Sequence, residues 1–274
     1  MPVSIPPHQQ IPNILTIAGS DSGGGAGIQV DLKTFSALGA YGASVITALT
    51  AQNTRGVVAL HSPEAGFVAA QLDAVFSDIR IDAVKIGMLG NAATVRAVAQ
   101  ALRRYRPAVI ILDTVMLSKN GCALLEADAI AALRDELLPL ADLLTPNLPE
   151  AAALLNQAPA IDEADMVRQG TALRELGARA VLMKGGHLGG DQSPDWLIEA
   201  AGSSRLGAPR IAVTHTHGTG CTLSAAIAAL APQRDTLARA VNDAKSYLNQ
   251  ALRHSIRLSV GQGIGPLHHF HAWW

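Results

Sequence analysis

A handful of residues in this chain have the types and spacing that phosphate chemistry requires. The run His217-Gly218-Thr219-Gly220-Cys221-Thr222 leads directly into an apolar stretch, Leu223–Leu230, that reads as a helix. Glycines let such a turn tighten while successive N–H groups point outward as an anion-binding nest. Cys221 falls in the first helical turn, where the macrodipole favours a thiolate. The plainer alternative is a buried, inert thiol. A second cluster, Gly19-Ser-Asp-Ser-Gly-Gly-Gly-Ala-Gly27, follows an apolar strand pattern. It reads either as backbone approaching a ligand at a helix start or as a flexible turn.

Two acids and one lysine stand where strands end. Asp113 follows Val-Ile-Ile-Leu, and Glu150 closes Asn147-Leu-Pro-Glu. An acid at the end of an apolar strand is costly to desolvate unless it serves a ligand or cation. Glu150 also reads as a first-turn helix acid. Lys184, in Met183-Lys-Gly-Gly186, has glycines that leave room for a ligand. Nest, lysine and carboxylates together suggest phosphoryl transfer with a divalent cation. Gln52 offers one acceptor and two donors, which match an amino group beside a ring nitrogen; capping a loop is its plainer role.

Other nucleotide signatures fail. A dinucleotide fingerprint on Gly25 and Gly27 would need glycine at position 30, where Val30 stands, and no acid occurs between Asp31 and Glu64. No Gly-Lys dipeptide exists for a Walker pattern. A Rossmann oxidoreductase is disfavoured.

These residues need a frame of alternating strands and helices. Strands are expected at Ile14–Ala18, Ser44–Leu49, Ala83–Ile86, Val109–Leu112, Leu143–Leu144 and Ala180–Met183. Helices are expected at Gly27–Leu38, from a cap at Ser62-Pro63-Glu64 to about Asp78, and at Ala92–Arg104, Ala127–Leu138, Leu148–Leu155 and Glu163–Leu176. Near-continuous apolar strands imply a mostly parallel sheet covered on both faces. Two antiparallel strands, Trp196–Glu199 and Ile211–Val213, then two helices, Thr219–Leu230 and Thr236–Ile256, close the chain. The reading is an unstructured leader over 1–12 and a single three-layer α/β domain over 13–274. Its ligand site should lie at the carboxyl ends of the strands.

Composition agrees with a globular protein acting on something small. Of 274 residues, 49% are hydrophobic and 16% charged, which excludes a disordered chain or long coiled coil. A net charge of −1 leaves no basic footprint for nucleic acid, and no apolar run is long enough to span a membrane. Cys122 and Cys221 show no metal or redox spacing, so a reducing cytoplasm is the simplest setting.

The motifs, in order, carry a resemblance. Ala18–Gln29, Thr47–Asn53, Lys85–Leu89, Leu112–Met116, Thr145–Glu150, Met183–His187 and His217–Thr222 resemble hydroxymethylpyrimidine/phosphomethylpyrimidine kinases of thiamine biosynthesis, over about Asn13 to Trp274. The resemblance implies a ribokinase-like fold, ATP and Mg²⁺, a small pyrimidine substrate and a homodimer. It assigns Gln52 to the aminopyrimidine, with Gly19, Asp31 and Met88 in the same substrate site. Cys221 would face the substrate hydroxyl, with Gly218, Thr219 and Gly220 as the anion hole. Lys184 would touch nucleotide phosphates, and Asp113 with Glu150 would organise Mg²⁺. Many ribokinase-like enzymes carry Asp where Cys221 stands, and many relatives carry Pro where Thr114 stands. Pyridoxal kinase and a non-catalytic pyrimidine- or nucleotide-binding regulator are the competing functions.

Two further segments invite readings. Lys119-Asn120-Gly121 suggests a mobile flap or a plain turn. The tail Pro266–Trp274 carries three closely spaced histidines but is assigned no metal, and its two tryptophans are expected to pack against the body or a partner chain.

Overall fold

The computed structural model describes residues 10–117, 121 and 123–274. The expected flap at Lys119 and Asn120, Cys122 and most of the expected leader lie outside these residues. Among the described residues nine strands form one sheet: β1 (Asn13–Asp21), β2 (Tyr41–Asn53), β3 (Gly56–His61), β4 (Ala83–Ile86), β5 (Ile110–Leu112), β6 (Leu143–Leu144), β7 (Val181–Lys184), β8 (Asp195–Glu199) and β9 (Gly202–Leu206). Their order is β3-β2-β1-β4-β5-β6-β7-β8-β9. The strands from β2 to β7 are mutually parallel, whereas β3, β8 and β9 join antiparallel at the two edges.

The described residues also form the α-helices α1 (Gly27–Ala37), α2 (Ala65–Phe76), α3 (Ala92–Tyr105), α4 (Ala127–Ala132), α5 (Leu148–Leu155), α6 (Glu163–Glu175), α7 (Thr219–Leu230) and α8 (Leu237–Arg253). The period-2 alternation of strand side chains sorts the core into two layers. Leu15, Ile17, Val84, Ile86, Leu112 and Leu144 pack with α2 to α6 on one face. Ile14, Ala83, Ile111, Leu143 and Leu182 pack with α1, α7 and α8 on the other. The sheet is thus buried on both faces, the three-layer α/β arrangement expected from its apolar strands.

Several expectations are corrected. The strand expected at Ile211–Val213 does not form; β8 instead turns back tightly onto β9, with Glu199 paired to Gly202. Four of the five β9 residues are exposed, so this edge strand lacks the apolar alternation by which strands are recognised. Strand β3 was not expected either: its Val57-Val58-Ala59-Leu60 run is apolar, but the strand lies at the sheet edge with Val58 and Leu60 exposed. It pairs with β2 as far as Leu49 with His61, so the chain is still leaving the sheet at Ser62-Pro63. Helix α2 therefore starts at Ala65, and Glu64 takes the cap position without a capping side chain. The helix expected over 127–138 narrows to α4, continuing as a π turn and a 3₁₀ turn around Pro139, which cannot extend an α ladder.

The tail packs back on the body through Leu267, His268 and His269, all under 5% exposed. Burial pulls the His269 imidazole down to about 3, so it is neutral where it meets the Thr222 hydroxyl at 3.0 Å. The terminal tryptophans do not pack fully against the body, the first of the two expected alternatives. Trp273 is 71% and Trp274 63% exposed on this chain, although the Trp274 ring lies 4.6 Å from His268.

Candidate active site

Parallel strands that cross over through helices gather their connecting loops at the carboxyl edge of the sheet. Here that edge opens a cavity of about 850 Å³. Gly19, Gln52, Met88, Asp113, Glu150, Lys184, Gly218, Thr219, Gly220 and Cys221, all proposed from the sequence, line it. Asp31 does not: it is fully buried behind the wall.

The nest is built by backbone. Gly218 precedes α7 with φ +80° and supplies no capping side chain, so the first-turn N–H groups stay available to an anion. A Cβ on Gly218 would overlap the Gly25 carbonyl; glycine is what lets the two glycine-rich turns touch. Thr219 is held by its hydroxyl, which donates to the Thr216 carbonyl at 2.7 Å.

Across from the nest, Lys184 Nζ lies 3.0 Å from Asp113 Oδ1 and 3.8 Å from Glu150 Oε2. Asp113 also accepts from the hydroxyls of Thr145 at 3.2 Å and Ser224 at 3.1 Å. Glu150 accepts from Thr114 at 3.0 Å and from the Asn147 N–H at 2.8 Å, the latter half of a capping box that starts α5. The first-turn role weighed for Glu150 is thus real and does not remove it from the cavity. Burial pushes the Asp113 carboxyl up, but Lys184, Lys85 and the donated hydrogen bonds outweigh it and hold the group below the ordinary range. Burial and the neighbouring Asp113 charge instead leave Glu150 raised despite Lys184. The two strand-end acids are therefore unequal.

Near Cys221 lies a buried ion pair of which the sequence pointed only to Asp31. Lys85 Nζ is 2.8 Å from Asp31 Oδ2, both side chains being fully buried, and the Thr16 hydroxyl donates to the same oxygen at 2.6 Å. A lone lysine inside the apolar strand Ala-Val-Lys-Ile was the available signal. The missed residues His217 and Asp21 lie 2.8 Å apart where the glycine turns meet. Their signal was adjacency to the glycines.

The expected thiolate at Cys221 is corrected. Burial pushes its thiol up to about 11, with Asp113 and Asp31 adding to the shift and Lys85 and the Gly27 N–H opposing it. The helix start does not offset loss of solvent, so the sulfur is protonated at neutral pH. Alkylation of Cys221 by iodoacetamide should accordingly be slow at pH 8 and rise with an inflection near 11. A profile that plateaus below pH 8.5, the ordinary thiol value, would contradict this electrostatic account.

For a metal, no group of three or more His, Cys, Asp or Glu able to hold an ion occurs among the described residues. Two carboxylates do suit Mg²⁺, which keeps several waters and takes its other ligands from substrate phosphates. Asp113 and Glu150 fit an ion bound in that shared way. Also among the described residues, no helix is long and apolar enough to cross a membrane.

Sheet, backbone nest and facing lysine define the class: an α/β kinase of the ribokinase-like fold, acting on a small molecule. Comparison with known proteins carries this further. The phosphomethylpyrimidine kinase family matches residues 21–268, and the chain belongs to that family. It is 61% identical to the hydroxymethylpyrimidine/phosphomethylpyrimidine kinase of Escherichia coli K12, covering 96% of this chain and 98% of the relative. It resembles the crystal structure of phosphomethylpyrimidine kinase from Clostridium difficile 630 with TM-score 0.78 and 42% identity, over 88% of this chain and 99% of that one. The Staphylococcus aureus pyridoxal kinase in complex with AMP-PCP and pyridoxal superposes with TM-score 0.88 at 29% identity, over 97% and 96% of the two chains.

Proposed function

We propose that this chain uses ATP to phosphorylate 4-amino-5-hydroxymethyl-2-methylpyrimidine and then its monophosphate, giving the diphosphate for thiamine assembly. The observation that carries the reading is one cavity lined both by Gln52 and Met88 and by the nest and Lys184. Family membership names the substrate class. The N–H groups of Gly218–Gly220 and the start of α7 stabilise charge that builds on the transferring phosphoryl group. Lys184 neutralises the nucleotide phosphates and leaves its carboxylate partners to do so. Asp113 and Glu150 would hold Mg²⁺, which supplies charge neutralisation between the phosphates when bound.

Cys221 faces the acceptor oxygen as a neutral thiol. Neutrality suits a site that must admit first an alcohol and then a phosphate, because a fixed anion there would repel the second substrate. Asp31, one layer back, acts on the site through Lys85. The resemblance also implies a homodimer in the cytoplasm, which is part of this proposal.

Likeness to pyridoxal kinases favours pyridoxal as a second substrate, since it too presents a ring nitrogen and a hydroxymethyl group. It lacks the amino group beside the ring nitrogen, and Gln52 separates the two. Leaving a buried amide partner unmatched costs ~1–3 kcal/mol, roughly ten- to hundredfold in binding. Gln52→Leu should raise KM for the aminopyrimidine by about that factor while leaving KM for ATP unchanged. Equal loss of both ligands would show instead that the β2 end had collapsed.

A further inference from the structure

An imidazole, a carboxylate and an amide meet where the two glycine turns touch. His217 Nε2 lies 2.8 Å from Asp21 Oδ2 and 3.1 Å from one atom of the Gln52 side-chain amide. The other amide atom lies 3.2 Å from Thr50 Oγ1. All parties are fixed in place. The His217 ring lies against Gly25, where any Cβ would strike it, and the His217 N–H donates to the Gly265 carbonyl at 3.1 Å. Ser22 clamps the Gln52 backbone, its hydroxyl donating to the Gln52 carbonyl and accepting from the Gln52 N–H, each at 2.8 Å.

The hydrogens in this cluster can be assigned by elimination. Asp21 accepts N–H groups from Gly23 at 2.8 Å and Gly25 at 3.1 Å. Burial pushes its carboxyl up, but the bond to His217 and these N–H groups outweigh it and hold it below the ordinary range. An ionised carboxylate only accepts, so Nε2 of His217 carries a hydrogen. That N–H cannot also accept from an amide NH₂. At the other end, the Thr50 hydroxyl gives its hydrogen to the Ser20 carbonyl at 2.9 Å and is left with lone pairs. The two ends of an amide have the same shape, so hydrogen bonding decides between them. The structure carries the amide with Nε2 toward His217 and Oε1 toward Thr50, which sets donor against donor and acceptor against acceptor; the reversed amide, its carbonyl oxygen facing His217 and its NH₂ facing Thr50, satisfies both.

We propose that His217 is a positioning residue that fixes the polarity of the Gln52 amide and thereby aims the substrate's hydroxymethyl group at the nest. The inference rests on the aminopyrimidine reading above. The amide NH₂ pairs with the ring nitrogen and the amide oxygen with the exocyclic amino group. In this substrate the amino group sits between the ring nitrogen and the carbon that bears the hydroxymethyl arm. With the amide oxygen on the His217 side, the amino group and then the arm extend toward His217, and Gly218 of the nest is the next residue. With the amide reversed, the same two hydrogen bonds would turn the arm away from the nest.

The test compares kcat/KM, by ADP release, for the 4-amino substrate and its 4-oxo analogue, whose edge has the opposite donor–acceptor order. The variants are His217→Phe, which keeps a ring against Gly25, and Asp21→Asn, whose amide can donate to Nε2 and so reverse the cluster. The wild type should prefer the amino compound strongly. His217→Phe should cut that preference at least tenfold with KM for ATP within twofold, and Asp21→Asn should move it further toward the oxo compound. Nitrogen NMR of the wild type should show the Nε2–H tautomer of His217. An Nδ1–H tautomer, or variants that lose both substrates in equal proportion, would overturn the inference and leave the kinase reading standing. Failure of the wild type to phosphorylate the amino compound would overturn that reading and the inference with it.

Discussion

Lys184→Ala should lower turnover about 10³-fold in both phosphorylations, the scale seen when a positioned cationic or hydrogen-bonding group is removed from a phosphoryl or oxyanion site. The geometry gives Lys184 two duties. Its ammonium lies beside the nest, with Nζ 3.4 Å from where a Gly220 side chain would begin, the place the proposed function gives to the phosphates. It also neutralises Asp113, which is 1% exposed. The substitution therefore carries a stability signature besides the kinetic one. Asp113 is held below its ordinary value of 3.8 with Lys184 as the leading favourable charge, so its contribution to stability is present above that pH and is lost as the pH falls through the lowered folded value. In the variant that contribution shrinks, so the wild type's advantage in urea is largest near neutrality and narrows as the pH falls below 3.8 toward the lowered folded value. Unchanged turnover would remove Lys184 from the mechanism; an advantage that widened on acidification would contradict its pairing with Asp113.

Removing Lys85 should damage the fold more than any other single charge deletion at the site. Lys85 and Asp31 are fully buried against each other, and Asp31 Oδ1 has no hydrogen-bond partner among the described residues. Burial pushes Lys85 down, yet the surrounding negative groups, Asp31 first, outweigh it and keep the ammonium above its ordinary range. Taking away one member leaves an uncompensated buried charge, a loss of about 3–5 kcal/mol, whereas replacing both members is often close to neutral. Lys85→Met alone should lower the urea midpoint sharply. Lys85→Met with Asp31→Asn should recover most of the loss, because asparagine still accepts from Thr16. A single variant within 0.5 kcal/mol of wild type, or a double variant worse than the single, would refute this pairing.

The sequence made the centre of the fold legible and left its margins obscure, for one physical reason. Strands β1, β4, β5, β6 and β7 are apolar because both faces are covered, and that signal survives in three or four residues. Edge strands β3 and β9 are exposed, and their Val58 and Ser203 are selected by neither face of a core. Motif residues fared similarly: Gly218, Lys184, Asp113 and Glu150 were found because glycine or charge is costly at a strand end or turn. Asp31 was placed in the site, but its partner Lys85 and the His217–Asp21 contact depend on tertiary proximity that spacing does not reveal. The Cys221 thiol shows the same limit. Position at a helix start argues for a thiolate, and only burial in the assembled cavity decides otherwise.

In the proposed function, one site performs two successive phosphoryl transfers on one pyrimidine. Counting ADP released per molecule of 4-amino-5-hydroxymethyl-2-methylpyrimidine consumed, with ATP and Mg²⁺ in excess, tests it most directly. Two ADP per pyrimidine are expected, with the monophosphate appearing first and then disappearing into the diphosphate. A count that stops at one, or ADP release with pyridoxal but not with the aminopyrimidine, would contradict it.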